Sequence, residues 1–134
     1  MKFFIPFIAV AVTTATSHAG GMPEFIRALH QVETSGRLGA IRGDGGRALG
    51  PLQIHHAYWS DAVQYDRTIG GRYQDVVNLA YAAKVVDAYM RRYAAQAYRA
   101  GDYVTLARIH NGGPRGDRKT ATLRYAEKIR RALR

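Results

Sequence analysis

Two carboxylates in one stretch of this chain have the chemical type and local setting for acid–base work. Glu33 stands where a helical pattern gives out and Asp44 stands in a glycine-dense turn, within the segment ETSGRLGAIRGDGGRALGPLQIHHAYW that runs from Glu33 to Trp59. Carboxyl groups held by different local structures can keep different protonation states. Cleavage of a glycosidic bond needs such a pair: one acid protonated to donate to the leaving oxygen, and one ionised group facing the positive charge that develops on the sugar. Taken alone, the same residues also fit an ordinary helix-end acid and an ordinary turn acid.

The elements that must position them can be read from spacing. Pro23 suits the first turn of a helix, and Phe25, Ile26, Leu29 and Val32 follow at helical intervals. Thr34-Ser35-Gly36 continue a helix poorly, so it should end near Glu33, where the negative end of the helix dipole opposes ionisation and so favours a proton donor. Six glycines between Gly36 and Gly50 predict turns and a short hairpin. Asp44, in Arg42-Gly43-Asp44-Gly45-Gly46, should be partly solvated, close to two arginines and ionised. The Arg-Gly-Asp triplet recurs at Arg115-Gly116-Asp117, and in a chain rich in arginine and glycine both are read as chance.

An apolar, strand-like run from Ala48 to Ile54 follows, with Gln53 as its polar member. The single tryptophan, Trp59, is either a stacking platform for a sugar ring or a core residue. His55 and His56 are adjacent and point apart. Neither they nor His30 and His110 have metal-ligand spacing with nearby acids, so no metal and no cofactor are expected. Gly70-Gly71 precede a long helical stretch, Tyr73 to Tyr98, whose stripe of Val76, Leu79, Ala80, Ala83, Val86, Met90, Tyr93 and Ala97 marks a central buried helix. Asp102 can cap the next helix, which His110-Asn111-Gly112-Gly113-Pro114 ends. Thr120 to Leu133 predicts an amphipathic helix with Leu123, Ala126, Ile129 and Leu133 on one side and a very basic opposite face.

Composition limits the function classes. Residues 1–19, with Lys2, the apolar run Phe3–Val12 and small residues before Ala19, read as a signal peptide, leaving residues 20–134 as one domain exported to the periplasm or the exterior. No other stretch is long and apolar enough to span a bilayer, so no stable membrane insertion is expected. The absence of cysteine removes thiolate catalysis and disulfide staples. The net charge is +10, and removal of Lys2 with a leader lowers it by one, which implies an anionic partner. Export disfavours nucleic acid and leaves the acidic wall polymer peptidoglycan as the expected partner of a monomer.

Taken in order, Glu33-Thr34-Ser35-Gly36, Asp44-Gly45-Gly46, Gly50-Pro51-Leu52-Gln53-Ile54, Tyr58-Trp59-Ser60-Asp61, the run VDAYMRRYAA at Val86–Ala95, and His110 to Pro114 resemble the motifs of the invertebrate-type (destabilase-like) lysozymes. Each motif is weak alone; in register they are specific and cover nearly all of residues 20–134. The resemblance implies an α+β, predominantly helical, lysozyme-like fold with a small β-hairpin. It also implies a glycoside hydrolase, a muramidase cleaving the β-1,4 bond between N-acetylmuramic acid and N-acetylglucosamine. Carried over by position, Glu33 is the proton donor, Asp44 the second carboxylate, and Gln53, Tyr93, His110 and Asn111 are substrate-binding cleft residues. For Tyr93 a core position competes with this role, and Asp61, which also matches, reads as structural. The family is dense with disulfides and this chain has none, so its loops must be packed differently. Some members are described as isopeptidases through a Ser and a Lys around the hairpin; this chain reads Arg47-Ala48-Leu49 and His55 there, and that activity is not expected.

Two rival readings remain at this level. Lytic transglycosylases pair a Glu-Ser near a helix end with a Gly-Xaa-Xaa-Gln-Ile run, and would use Glu33 alone. A non-catalytic cationic protein, binding wall or membrane as an antimicrobial, would need neither carboxylate.

Overall fold

The computed structural model describes residues 21–134, so the expected leader lies outside the described residues. Helix α1 (Gly21–Thr34) carries Pro23 in its first turn and buries Phe25, Ala28 and Leu29. Its end coincides with the expected break: Ser35 and Gly36 both take positive φ, 54° and 76°. The next segment forms a three-stranded antiparallel sheet, β1 (Arg42–Gly43), β2 (Ala48–Leu49) and β3 (Ile54–His55), in sequential order. Gly43, Ala48 and His55 lie side by side across it.

The apolar run Ala48–Ile54 is therefore two short strands rather than one. Gly50 turns the chain at φ 82°, in contact so close that a Cβ would lie 2.3 Å from the Val76 carbonyl oxygen. Pro51 offers no N–H to a ladder, and Gln53 takes φ 52°. The turn is apolar because it plugs the core: Leu52 and Ile54 are both wholly buried.

Helix α2 (His56–Tyr65) leaves the sheet directly. The long stretch expected from Tyr73 to Tyr98 is three pieces: a 3-10 turn at Tyr73–Val77, helix α3 (Leu79–Tyr93) and helix α4 (Ala95–Ala100). Asn78 separates the first two, because its side chain accepts the Tyr81 N–H and starts a new helix. Ala94, at φ −141° and ψ 40°, separates the last two. The buried face of α3 is Ala82, Val85, Val86, Ala88, Tyr89 and Met90, so the stripe is rotated from the expected one and Ala80 is exposed.

Helix α5 (Tyr103–Gly112) is capped by Asp102, which accepts from the Thr105 N–H at 3.1 Å, and it buries Leu106, Ala107, Ile109 and His110. Helix α6 (Leu123–Ala132) buries Ala126 and Ile129 but leaves Leu123 half exposed. The core gathers Phe25, Leu29, Leu52, Ile54, Met90, Leu106 and Ile129 from helices, turn and sheet, which fixes α1, the β2–β3 turn, α5 and α6 against one another.

With no disulfide available, polar side chains fasten the loops. The buried Thr122 hydroxyl accepts from Arg108 Nε at 2.9 Å and lies 2.7 Å from the Gly116 carbonyl oxygen, closing the loop between α5 and α6. Arg91 is gripped by Asp66 and Asp87 at 2.8 and 2.9 Å, and Asp87 also accepts from the Tyr98 hydroxyl, joining α3 to α4 and to the segment after α2.

Candidate active site

Glu33 is the penultimate residue of α1, and the packing described above surrounds it from several sides. Its neighbour Thr34 is 2% exposed and donates its hydroxyl to the Pro51 carbonyl at 2.9 Å, locking the helix end to the β2–β3 turn. Gly36 N–H returns to the His30 carbonyl and the His30 ring bonds the Arg37 carbonyl, so the chain leaving the helix is fixed too. The Glu33 side chain is 19% exposed. Its Oε1 accepts a 2.6 Å hydrogen bond from the Tyr125 hydroxyl on α6, and His110 Nε2 on α5 lies 3.6 Å from the same oxygen.

The tautomer of His110 follows from its partners. Nε2 faces two acceptors, the Leu52 carbonyl at 3.2 Å and Glu33 Oε1, so Nε2 carries the proton. Nδ1 then accepts from the Tyr58 hydroxyl at 3.0 Å. Burial holds the Tyr58 phenol well above its ordinary pKa, with the charges of Tyr89 and Glu33 adding to it, so it remains a donor. Tyr125 is likewise raised, first by burial, then by the Glu33 charge and by the hydrogen bond it donates. Tyr58 stacks on Tyr89 with ring centroids 3.6 Å apart, and Tyr89 meets Tyr93 at 4.8 Å. A continuous row of rings therefore runs from Tyr93 through Tyr89 and Tyr58 to His110 and Tyr125.

Asp44 has a different setting. It follows β1 at φ 51°, a left-handed conformation that Asp tolerates better than most side chains. Arg47 Nη2 lies 3.0 Å from Oδ1 and His55 Nε2 lies 3.1 Å from Oδ2, with all three side chains about half exposed or more. Gln53, also left-handed, donates its amide to the Ile41 and Gly50 carbonyls at 3.1 and 2.9 Å and so braces the hairpin from below. Gly43 packs directly beside it: a Cβ there would fall 2.0 Å from Gln53 Oε1 and push the amide aside.

Of the residues singled out by sequence, Glu33 and His110 are in one cluster. Asp44 and Gln53 sit in the two turns of the adjoining sheet, Asp44 between β1 and β2 and Gln53 just before β3. Asn111 is exposed on α5 next to His110. Tyr93 joins the cluster only through Tyr89; its hydroxyl donates to Asp61 Oδ2 at 3.0 Å while Arg92 covers its ring, so both roles weighed for it stay compatible with its half-buried position. Trp59 packs at the core edge and donates to the Tyr81 hydroxyl at 2.9 Å. Sequence reasoning missed Tyr125, Tyr58 and His55. Tyr125 lies four residues before the buried Ile129, so a polar-tipped aromatic on a buried stripe was the available signal. The His55–Asp44 contact depends on strand register and had no such signal.

The profile of the Destabilase family matches residues 26–132 of this chain. Lysozyme 1 of Crassostrea virginica is 39% identical over 83 residues, covering 61% of this chain and 43% of its own length. A lysozyme of Magallana gigas is 38% identical over 82 residues, 61% of this chain and 58% of its own length. The chain thus spans about half the length of these curated relatives. Among solved structures, the Tapes japonica lysozyme superposes with a TM-score of 0.68 at 29% identity, covering 81% of this chain and 89% of that one. The Meretrix lusoria lysozyme, solved in complex with Aeromonas hydrophila PliI, gives 0.69 at 30% identity, covering 84% and 93%. The motif order, the mostly helical fold with its small sheet and the match over residues 26–132 agree: this chain belongs to the destabilase family of invertebrate-type lysozymes.

Proposed function

We propose that this protein is a peptidoglycan hydrolase, a muramidase working outside the cytoplasm, with Glu33 as proton donor and Asp44 as the second carboxylate. The observation that carries the reading is the anchored but partly open carboxyl of Glu33, tied through Oε1 to Tyr125 and facing His110 beside the sheet that presents Asp44. Membership of a family whose relatives are named lysozymes supports peptidoglycan as the substrate class. In the step proposed, Glu33 gives its proton to the glycosidic oxygen as the bond to the anomeric carbon breaks. The electron pair stays on the leaving oxygen. Asp44 meets the oxocarbenium-like sugar, by attack or by charge, and water then completes hydrolysis with Glu33 as base. Gln53 and Asn111, with Tyr93 further along the ring row, are the proposed residues of the cleft surface, and His110, its side chain 3% exposed, is proposed to act from behind it through Glu33. The basic surface would hold the protein to an acidic polymer, an attraction that salt weakens.

The test is digestion of purified peptidoglycan by the parent protein, Glu33→Gln and Asp44→Asn, with released ends identified by mass spectrometry. The reading expects reducing muramic ends from the parent and a loss of about 10²–10⁴-fold in Glu33→Gln. Anhydro-muramic ends, with Asp44→Asn fully active, would make it a transglycosylase instead. Binding without release by the parent would leave a cationic wall-binding protein.

A further inference from the structure

We infer that Tyr125 is a positioning residue that gives the two oxygens of Glu33 different jobs, Oε1 held as an acceptor and Oε2 left to carry the transferable proton. The inference rests on Glu33 being the proton donor. Both protein contacts to the carboxyl fall on Oε1: the Tyr125 hydroxyl at 2.6 Å and His110 Nε2 at 3.6 Å. Among the described residues, no donor reaches Oε2. A protonated carboxyl carries its hydrogen on one oxygen. An oxygen already receiving a hydroxyl proton, with an N–H aimed at it, cannot carry a hydrogen without setting donors against each other. The proton therefore resides on Oε2.

The arrangement requires Tyr125 to stay a neutral donor, and its surroundings enforce this. Burial, the charge of Glu33 and the hydrogen bond itself all oppose its ionisation. The ring is held against His110 with centroids 6.3 Å apart, and the helix that carries it is joined to α1 where Arg27 Nη1 donates to the Ala132 carbonyl. The C-terminal helix thereby reaches the proton donor directly. Once the proton has left Oε2, the donors on Oε1 face the new carboxylate and stabilise it, so the same contacts serve both halves of the reaction.

Tyr125→Phe keeps the ring and removes only the hydroxyl. The carboxyl then loses its strongest donor and keeps only His110 Nε2, at 3.6 Å, to hold its orientation. The expected result is a fall in kcat of about 10- to 100-fold with KM within about twofold, measured on a soluble peptidoglycan fragment. The alkaline limb of the pH–rate profile should move to higher pH, because the ionised carboxyl has lost a hydrogen bond. Incorporation of 3-fluorotyrosine at position 125, a more acidic donor of nearly the same shape, should move that limb the opposite way. This second variant keeps the test decisive if Tyr125→Phe folds poorly. A folded Tyr125→Phe with unchanged kcat and profile, or a fluorotyrosine protein whose limb does not move, overturns the inference. Glu33→Gln run alongside separates the two levels: if it stays active, Glu33 is not the donor; if it is dead while Tyr125→Phe is unaffected, only the role of Tyr125 falls.

Discussion

Glu33 is held by groups from parts of the chain far apart in sequence, whereas Asp44 is held by Arg47 of its own turn and His55 of the neighbouring β3. Around Glu33, α1 ends against the β2–β3 turn through Thr34, α5 supplies His110, and α6 supplies Tyr125. Most of these contacts are buried, so they exist only when the whole core has formed. Around Asp44 the partners are exposed and local. The difference suits the two tasks in the proposed mechanism. A proton donor needs a fixed position and a poorly solvated carboxyl, whereas the group meeting a cation needs to stay ionised, and water helps it do so.

The largest expected contrast is between two glycines that both sit in left-handed turns, one in each region. At Gly50, φ is 82° and a Cβ would collide with the Val76 backbone at 2.3 Å; at Gly45, φ is 65° and the space is open. Gly50→Ala combines conformational strain with a backbone clash in the turn that anchors Thr34 and His110, and should cost about 3 kcal/mol or more. Gly45→Ala carries only the left-handed penalty, about 1 kcal/mol. Urea unfolding of the two variants beside the parent measures both. Equal losses would mean that the Asp44 hairpin is as deeply coupled to the core as the turn below Glu33.

The same contrast explains what was readable in the sequence. Glu33 was legible because a broken helical period and a following Thr-Ser-Gly fix where a helix stops, which is local information. The cap by Asp102 was legible for the same reason. Tyr125 could be placed on a buried stripe, but its meeting with Glu33, 92 residues away, depends on how α6 packs against α1. The Ala48–Ile54 run misled because its apolar residues serve a core-plugging turn, and apolarity alone does not separate a strand from such a turn. The division of Tyr73–Tyr98 turned on Asn78 and Ala94. An asparagine cap could have been anticipated; a break at an alanine, the residue with the highest helix propensity, has no local signal.

A second prediction uses the tyrosines on the Glu33 side. Tyr58 and Tyr125 both have folded-state pKa values raised by burial and by Glu33. Above the ordinary tyrosine value of about 10, the unfolded chain releases these protons while the folded chain keeps them, so the folded state binds more protons. Their contribution to stability is intact below that pH and declines above it, by up to about 1.4 kcal/mol per pH unit for each group. Thermal unfolding between pH 9 and 11 should show a steep fall, and Tyr125→Phe should reduce the slope by about one proton. A slope unchanged by that substitution would mean that Tyr125 is not forced to stay neutral.

The smallest effect is expected on the Asp44 side, where Arg47→Ala removes an exposed ion pair whose side chains are 74% and 50% accessible. Such pairs contribute little, so stability should stay within about 0.5 kcal/mol of the parent. Asp44 keeps His55 as a partner, and any change in turnover should be electrostatic, appearing at low salt and fading at about 1 M, where charges are screened within about 3 Å. Turnover measured across that salt range, with unfolding midpoints on the same samples, separates the possibilities. A loss of more than about 2 kcal/mol, or a turnover defect that persists at high salt, would mean that Arg47 sets the shape of the hairpin; Asp44 would then be as firmly built in as Glu33, and the two sites would no longer differ in how they are supported.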